Sequence, residues 1–506
     1  MENSAPQEVS LTGKVVASTA WMFGFQVLDN LLGLLRLFIL ARILTSADFG
    51  LVGVATLTKQ VIDTFTQSGI GAFLIYKKDS EKYLDVSWTF LLIRGVILSV
   101  LVYLAAPLFG AFFNSPTATD VIRIVGFTFL IDALTNISVI TFQKNLEFSK
   151  VFILQLAGNA ADAIVAITCA VVWQNYWAIV AGMVVSTIVR VVLSYTLSSY
   201  RPRFDFNFKR LREMHQYGKW VFGSTILQFL YGQADDILVG RLLGTTALGY
   251  YQLAYRISNM PTTQITHIIN TVVFPAYSQV QGNLKKLTAA YLRLLQATSF
   301  LSFLVGMLII VFAGDFIVLV LGNQWLPMKL ALQILTVWGI LRSLGATAGS
   351  LWNAMGKPSI ATKIQLVQTV IIAIYIFPLT LQWGYTGTAA SVVVAALIGN
   401  AIAYSMVLRT LQIPNMQLFK ELFIPLSAAV IAGIVCQIVN YLFFEQVDFV
   451  SFVVRLLATV AVYIGVVFLY SRYANYSLIQ TCFFLSKETP ALRTVFNFLQ
   501  KVKKKP

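Results

Sequence analysis

Charge is scarce in this 506-residue chain. Asp, Glu, Lys and Arg together make up 11% of it, against about a quarter in a soluble globular protein. Histidine occurs twice, at His215 and His267, and cysteine three times, at Cys169, Cys436 and Cys482. These are far apart, with neither zinc nor redox spacing, which excludes a disulfide framework and a histidine-rich metal site. We expect no metal and no cofactor. The run G-x-x-x-x-G-K-[ST] is missing, which argues against ATP hydrolysis within the chain. No Ser/His/Asp or Cys/His set can be assembled either. What is there is apolar: 58% of residues are hydrophobic and the mean hydropathy is +0.76. No water-facing surface accommodates that, so the chain is expected to be an all-α polytopic membrane protein.

A span needs about 20 mostly apolar residues to cross roughly 30 Å of hydrocarbon. Fourteen stretches qualify, from 15–41 and 49–75 through 218–243, 248–274, 360–382 and 385–408 to 419–443 and 450–471. The first apolar run is too long for a signal-peptide core and is read as a retained span. With the N-terminus inside, 26 of the 37 Lys and Arg fall in inner segments, and only Arg42, Arg241 and Lys329 in outer ones. Both termini are therefore expected in the cytoplasm, and the net charge of +16 is topology signal rather than a sign of nucleic acid. Past Arg472, Thr489-Pro490 and the spacing of Leu492, Val495, Phe496 and Leu499 suggest an interfacial helix. Lys501 to Lys505 then face anionic headgroups.

The chain repeats itself weakly. Ala41-Arg42-Ile43-Leu44-Thr45-Ser46-Ala47-Asp48-Phe49-Gly50 ends the first span, and Gly240-Arg241-Leu242-Leu243-Gly244-Thr245-Thr246-Ala247-Leu248-Gly249 ends the seventh, 199 residues on. Gly13-Lys14 and Gly218-Lys219 open the two units at similar points. Six spans per copy is an even number, so both copies insert with the same orientation, a transporter plan with its site between halves. The expected organisation is an N-terminal lobe (1–200), a basic cytoplasmic linker (201–217), a C-terminal lobe (218–411), two extra spans (412–471) and a basic tail (472–506).

Ionisable groups inside the bilayer cost several kcal/mol, so they are functional or paired by default. Arg94, Arg123 and Arg455 sit near span ends, where snorkelling accounts for them, and Arg190 stays open. Arg36, Lys59, Arg256 and Arg342 lie deeper, in spans one, two, eight and ten. Acids accompany them: Asp29, Asp63, Asp132, Asp162, Asp235 and Asp236. Lys59 and Asp63 are four apart and are expected to neutralise one another. Two readings stand side by side, interhelical salt bridges that hold a bundle together and a cationic cavity that takes an anionic headgroup through the planar guanidinium fork. Pro261, just inward of Arg256, marks a kink or hinge. The outer loops are short, which argues against a membrane glycan polymerase or ligase.

Several segments resemble Wzx-type polysaccharide flippases of the multidrug/oligosaccharidyl-lipid/polysaccharide exporter superfamily, in particular the colanic-acid-type branch. They are Ala41-Arg42-Ile43-Leu44 through Asp48-Phe49-Gly50-Leu51, Gln143-Lys144-Asn145-Leu146-Glu147-Phe148, Leu253-Ala254-Tyr255, Val273-Phe274-Pro275-Ala276, Gly322-Asn323-Gln324-Trp325 and Leu341-Arg342-Ser343-Leu344-Gly345. The resemblance runs in order over roughly residues 11–470. It implies two six-helix lobes plus two terminal helices, similar to multidrug extruders and lipid II flippases, around a cavity that opens alternately to each side. It implies a polyprenyl-diphosphate-linked oligosaccharide as cargo in a bacterial inner membrane, and a polysaccharide polymerase and export machinery as partners beside membrane lipids. The charge pattern nominates Arg36, Lys59, Arg256 and Arg342 for the diphosphate and glycan. Asp63, Asp162, Asp235 and Asp236 are the candidates for ion coupling or salt-bridge gating. A multidrug or organic-cation antiporter is the alternative within the superfamily, kept open by Asp235-Asp236.

Overall fold

The computed structural model describes residues 28–145, 147–280, 282–443 and 448–473. Side chains at 215, 217–224, 227, 264–276, 278–280 and 443 are outside that description, His215 and His267 among them. So are Lys14, Cys482 and the expected interfacial helix beyond Thr489. Every regular element among the described residues is helical. In chain order these are α1 (28–43), α2 (Ser46–Thr66), α3 (Ile70–Tyr76), α4 (Leu84–Phe112), α5 (Ala118–Ala133), α6 (Val139–Lys144), α7 (Phe148–Trp173) and α8 (Trp177–Thr196). After them come α9 (Phe208–Val280), α10 (Leu284–Phe316), α11 (Lys329–Ala354), α12 (Pro358–Leu411), α13 (Asn415–Phe443) and α14 (Phe449–Tyr473).

Two of these helices are each a pair of spans run together. α9 breaks at Gly244 (φ 84°) and α12 at Gly384 (φ 61°), left-handed positions that glycine adopts without a Cβ penalty. Eight helices are long and apolar enough to cross a membrane by length and composition. Counting each limb of α9 and α12 and adding α1, α2 and α5 gives fourteen spans, grouped as the sequence windows predict. The chain is a multi-pass membrane protein. The kink expected at Pro261 is not a break: the backbone stays helical there, and Gly244 alone carries the non-helical angles in α9. The linker is only half irregular, because α9 already starts at Phe208.

The chain forms two compact units that divide between Tyr250 and Tyr251. In the first, glycines let helices touch. A Cβ on Gly95 of α4 would lie 2.3 Å from the Ala133 Cβ of α5, and one on Gly126 of α5 2.3 Å from Val102 of α4. Small residues at such contacts suit a membrane, where dispersion and close approach replace the hydrophobic drive. α2 starts with a capping box: the Thr45 hydroxyl accepts from the Asp48 N–H at 3.3 Å, and the Asp48 carboxylate accepts from the Thr45 N–H at 2.9 Å. The other Asp48 oxygen accepts from the Tyr176 N–H at 3.0 Å, which ties in the turn between α7 and α8.

The weak repeat meets itself here. A Cβ on Gly50 would sit 1.8 Å from the Thr245 carbonyl oxygen, and one on Gly249 would sit 1.9 Å from the Ser46 carbonyl oxygen. Thr245 is the counterpart of Ser46 at the 199-residue offset, and Gly249 the counterpart of Gly50. Each copy therefore sets its glycine against the start of the other, a reciprocal contact that two similar turns make about a local twofold. Nearby, Arg241 Nη1 donates to the Phe112 carbonyl at 2.6 Å and to Asn114 Oδ1 at 2.9 Å.

The opposite end of this unit is closed by the short α3 and α6 over a core that includes Ile70, Phe73, Tyr83, Trp88 and Met214. Lys144 Nζ locks it, donating at 2.7 Å to the carbonyls of Lys77 and Lys78 and to Ser80 Oγ. In the second unit, α10, α11 and α12 pack around Tyr291, Leu295, Leu351, Trp352 and Val407. α13 and α14 attach to α10 through Met307, Ala428, Ala432 and Tyr463. Arg455 bolts that attachment. It is 3% exposed, and its guanidinium meets Asp315 of α10 at 2.9 Å and Asn440 of α13 at 2.5 Å. Snorkelling, the expectation for Arg455, is thus replaced by a buried interhelical pair.

Candidate functional site

The charges that the sequence places within apolar spans resolve into three groups. The first spans α1, α7 and α8. Arg36 Nη2 meets Asp162 Oδ1 at 2.9 Å, with side chains 13% and 18% exposed. One helical turn away, Asn159 bridges two charges: its Nδ2 donates to Asp29 at 2.6 Å, and its Oδ1 accepts from Arg190 Nη2 at 2.6 Å. Two cations and two carboxylates thus engage side chains one turn apart on α7, Arg36 with Asp162, and Asp29 and Arg190 through Asn159. Glycines make it possible. A Cβ on Gly158 would lie 2.5 Å from Arg190 Nε, and one on Gly182 would lie 2.3 Å from Asp162 Oδ1. Arg190, left open by the sequence, is a member of this group.

The second group corrects an expectation. Lys59 and Asp63 do not pair with each other. Lys59 Nζ reaches Asp132 Oδ2 of α5 at 2.8 Å and Thr128 Oγ1 at 2.6 Å, and lies over the Phe129 ring at 5.3 Å. Asp63 instead takes Arg94 Nη2 of α4 at 2.6 Å, and Arg94 also donates to Thr66. The reason is direction: helical side chains lean toward the N-terminus, so a Lys that precedes its Asp by four is the poorer order for pairing. Interhelical partners win, and Arg94 is engaged rather than snorkelling. Arg123 stays near its span end, paired with Asp120 at 3.1 Å.

The third group lies in the second unit and differs in kind. Arg342 of α11 donates to no carboxylate among the described residues. It donates through Nη1 to Asn259 Oδ1 at 3.3 Å, and its guanidinium lies 5.4 Å from the centre of the Trp338 ring one turn earlier. The Tyr255 ring also meets Trp338, tilted by 37° with centroids 5.3 Å apart, and the Tyr255 carbonyl accepts from Asn259 Nδ2 at 3.0 Å. Asn259 is buried and three residues from Arg256, whose side chain is exposed, so the two predicted cations belong to one helix–helix junction. An amide oxygen and an aromatic face orient a guanidinium without cancelling its charge.

Asp235 is buried and Asp236 half-buried on the first limb of α9. Among the described residues no group of three His, Cys, Asp or Glu is placed to hold a metal ion. Asn159, Asn259, Trp338 and Tyr255 were missed by a reading of charges alone. The available signal was spacing, since Asn159 precedes Asp162 by three, Asn259 follows Arg256 by three and Trp338 precedes Arg342 by four.

Beside Arg342, Leu341 lines an apolar cavity of about 780 Å³ formed by α10, α11 and α13, with Met307, Ile310, Gly433 and Gln437 in its wall. α11 therefore turns a charged face and an apolar face to adjacent spaces.

Comparison with known proteins places this arrangement. The family model described as "Polysaccharide biosynthesis protein" matches residues 39–330. Lipopolysaccharide biosynthesis protein WzxC of Escherichia coli (strain K12) is 26% identical over 79% of this chain and 82% of its own. Among solved structures, the lipid II flippase MurJ in an inward closed conformation superposes with a TM-score of 0.74 at 15% identity, over 89% of this chain and 99% of that one. An inward-facing multidrug resistance transporter of the MATE family gives 0.57 at 16% identity, over 76% of this chain and 95% of that one. Those two likenesses establish the fold.

Proposed function

From the premise that this chain belongs to the polysaccharide biosynthesis protein family, we propose that it is a flippase for lipid-linked oligosaccharide. Its cargo is a polyprenyl-diphosphate-linked repeat unit, carried from the cytoplasmic to the periplasmic leaflet of a bacterial inner membrane by alternating access, without covalent chemistry. The lobes of the sequence reading, 1–200 and 218–411, are the moving bodies of that cycle, the first limb of α9 being packed with the first lobe as far as Tyr250 in this conformation, and both termini stay in the cytoplasm. A polysaccharide polymerase and export machinery take over the product.

The observation that carries the proposal is Arg342. Of the cations nominated from sequence, Arg36 and Lys59 are paired with Asp162 and Asp132, whereas Arg342 meets no carboxylate among the described residues and is held by Asn259 and Trp338. A guanidinium with unused donors beside aromatic rings suits a diphosphate followed by sugar, since phosphate accepts the fork and sugar faces stack on aromatics. Arg256 serves as the second cation. The apolar cavity on the neighbouring face of α11 suits the start of the lipid. Asp63, Asp162, Asp235 and Asp236 hold the helices in register or couple to an ion.

The membrane potential favours this direction. At 100 mV, inside negative, each charge is worth about 2.3 kcal/mol, so export of a headgroup of roughly −2 gains about 4–5 kcal/mol. The test uses purified protein in liposomes that hold a fluorescent polyprenyl-diphosphate oligosaccharide, with a membrane-impermeant reagent reporting exposed glycan. Protein-dependent exposure that collapses in Arg342→Gln and Arg256→Gln supports the reading. Exposure no faster than in empty liposomes, with and without a potential, refutes it.

A further inference from the structure

The 201–217 linker plays no part in that reading, yet it is built with care. Its non-helical half lies along the start of α4. The Tyr200 hydroxyl donates to Asp85, the Arg203 N–H donates to the same carboxylate at 2.9 Å, and the Asp205 N–H donates to Thr89 Oγ1 at 3.0 Å. Asn136 Nδ2 holds the Tyr200 carbonyl at 2.8 Å. A backbone fixed in this way presents three phenylalanines outward: Phe204, Phe206 and Phe208 are 66%, 62% and 78% exposed. The rings of Phe204 and Phe206 are parallel within 6° at 6.4 Å, so they share a side, and Phe204 rests on Trp88 at 5.4 Å.

Arg203, Lys209 and Arg212 alternate with these rings along the chain, and all three are exposed, as is Lys78. The neighbouring acids are already engaged: Glu213 with Lys77 and Tyr83, Asp205 with Arg210, Asp79 with Lys82. Lys78, Arg203 and Arg212 make no ion pair among the described residues. One turn apart, Phe208 and Arg212 also flank a cavity of about 320 Å³ walled by Ile70, Phe90, Leu211 and Met214. Exposed aromatics interleaved with cations, next to membrane-crossing helices, have the composition of an interfacial anchor.

We infer that this linker binds anionic phospholipid in the leaflet that the Lys/Arg distribution assigns to the cytoplasm. Arg203, Lys209 and Arg212 take headgroup phosphates, Phe204, Phe206 and Phe208 sit at the boundary between headgroups and acyl chains, and the small cavity admits the start of one chain. The lipid is a constituent of the bilayer, distinct from the cargo, and its recognition does not depend on transport.

Native mass spectrometry of the full-length protein, titrated with phosphatidylglycerol or phosphatidylcholine, tests this. A basic residue near an anionic surface contributes about five-fold in affinity, so Arg203→Gln/Lys209→Gln/Arg212→Gln lowers phosphatidylglycerol retention roughly hundred-fold. Lys285→Gln/Lys286→Gln, exposed elsewhere, leaves it unchanged. Equal retention of both lipids by the wild type, or unaltered retention by the triple variant, overturns the proposal. So does displacement of phosphatidylglycerol by equimolar polyprenyl diphosphate in the wild type alone, which assigns the surface to the cargo. A nitroxide at Phe206→Cys, in a chain with Cys169, Cys436 and Cys482 replaced by Ser, gives an independent reading in phosphatidylglycerol nanodiscs. It shows interfacial oxygen accessibility if the linker is an anchor, and water-like accessibility overturns the idea.

Discussion

Replacing Arg36 and Arg342 in turn by Gln separates a structural charge from a functional one. Arg36 and Asp162 are 13% and 18% exposed and 2.9 Å apart, so Arg36→Gln leaves a carboxylate largely buried among apolar helices. Breaking such a pair costs about 3–5 kcal/mol, because the remaining charge keeps its desolvation penalty and loses its compensation. The cost belongs to the acid that loses Arg36, so Asp162→Asn added to Arg36→Gln should recover most of it. Arg342→Gln orphans no acid among the described residues; it loses one hydrogen bond to Asn259 and a contact with the Trp338 ring. Its stability should change by about 1 kcal/mol. Its transport should fall by ten- to a hundred-fold, the value of a charge-assisted bond of about 1.5–3 kcal/mol to the diphosphate. Thermal melts of detergent-purified variants, paired with the liposome exposure assay, read both quantities. Arg342→Gln that melts as early as Arg36→Gln, or that flips cargo at the wild-type rate, would refute the assignment of charge to the second unit. Failure of Asp162→Asn to rescue Arg36→Gln would refute the pairing argument.

Three further outcomes follow from the geometry. Gly50→Ala and Gly249→Ala each force a Cβ to within 2 Å of a backbone carbonyl, so both should lose about 1–3 kcal/mol in thermal melts, and by similar amounts; unequal losses would show that the contact is not reciprocal. Arg455→Ala strands Asp315 and should cost about 3–5 kcal/mol, eased by Asp315→Asn, as read by the same melts. In the linker, ahead of the membrane-crossing part of α9, the hydrogen bond from Tyr83 and then the charge of Lys77 hold the Glu213 carboxyl below its usual 4.5. A lowered carboxylate adds stability that is complete above the unfolded value and fades as pH falls through the folded one. Tryptic cleavage at Arg210 and Arg212 should therefore rise when the protein is pre-exposed to pH below about 4.5, and Tyr83→Phe should move that onset to higher pH.

The contrast among the cations shows where one-dimensional reading stops. The presence of a charge inside an apolar window was legible, because it is visible as such: Arg36, Lys59, Arg256 and Arg342 were all nominated that way. Partners were not. Lys59 and Asp63 share a helix face, yet each is claimed by another helix, 69 or more residues from Lys59 and 31 from Asp63. Arg455 looked like a residue reaching for the interface and is instead sealed between α10, α13 and α14.

Composition and hydropathy by themselves determined the membrane, the fourteen spans and the grouping into six, six and two, because the cost of placing polar backbone or charge in hydrocarbon acts on each segment alone. The offset of 199 residues likewise revealed the repeat. Only the tertiary structure decided that the two copies set Gly50 on Thr245 and Gly249 on Ser46, that α9 breaks at Gly244 while Pro261 stays helical, and that Arg36 and Lys59 are each paired with a carboxylate while Arg342 meets none among the described residues. Those outcomes depend on distances between helices remote in sequence. Electrostatic energy in a low dielectric changes by several kcal/mol according to which of two candidate partners lies within 3 Å.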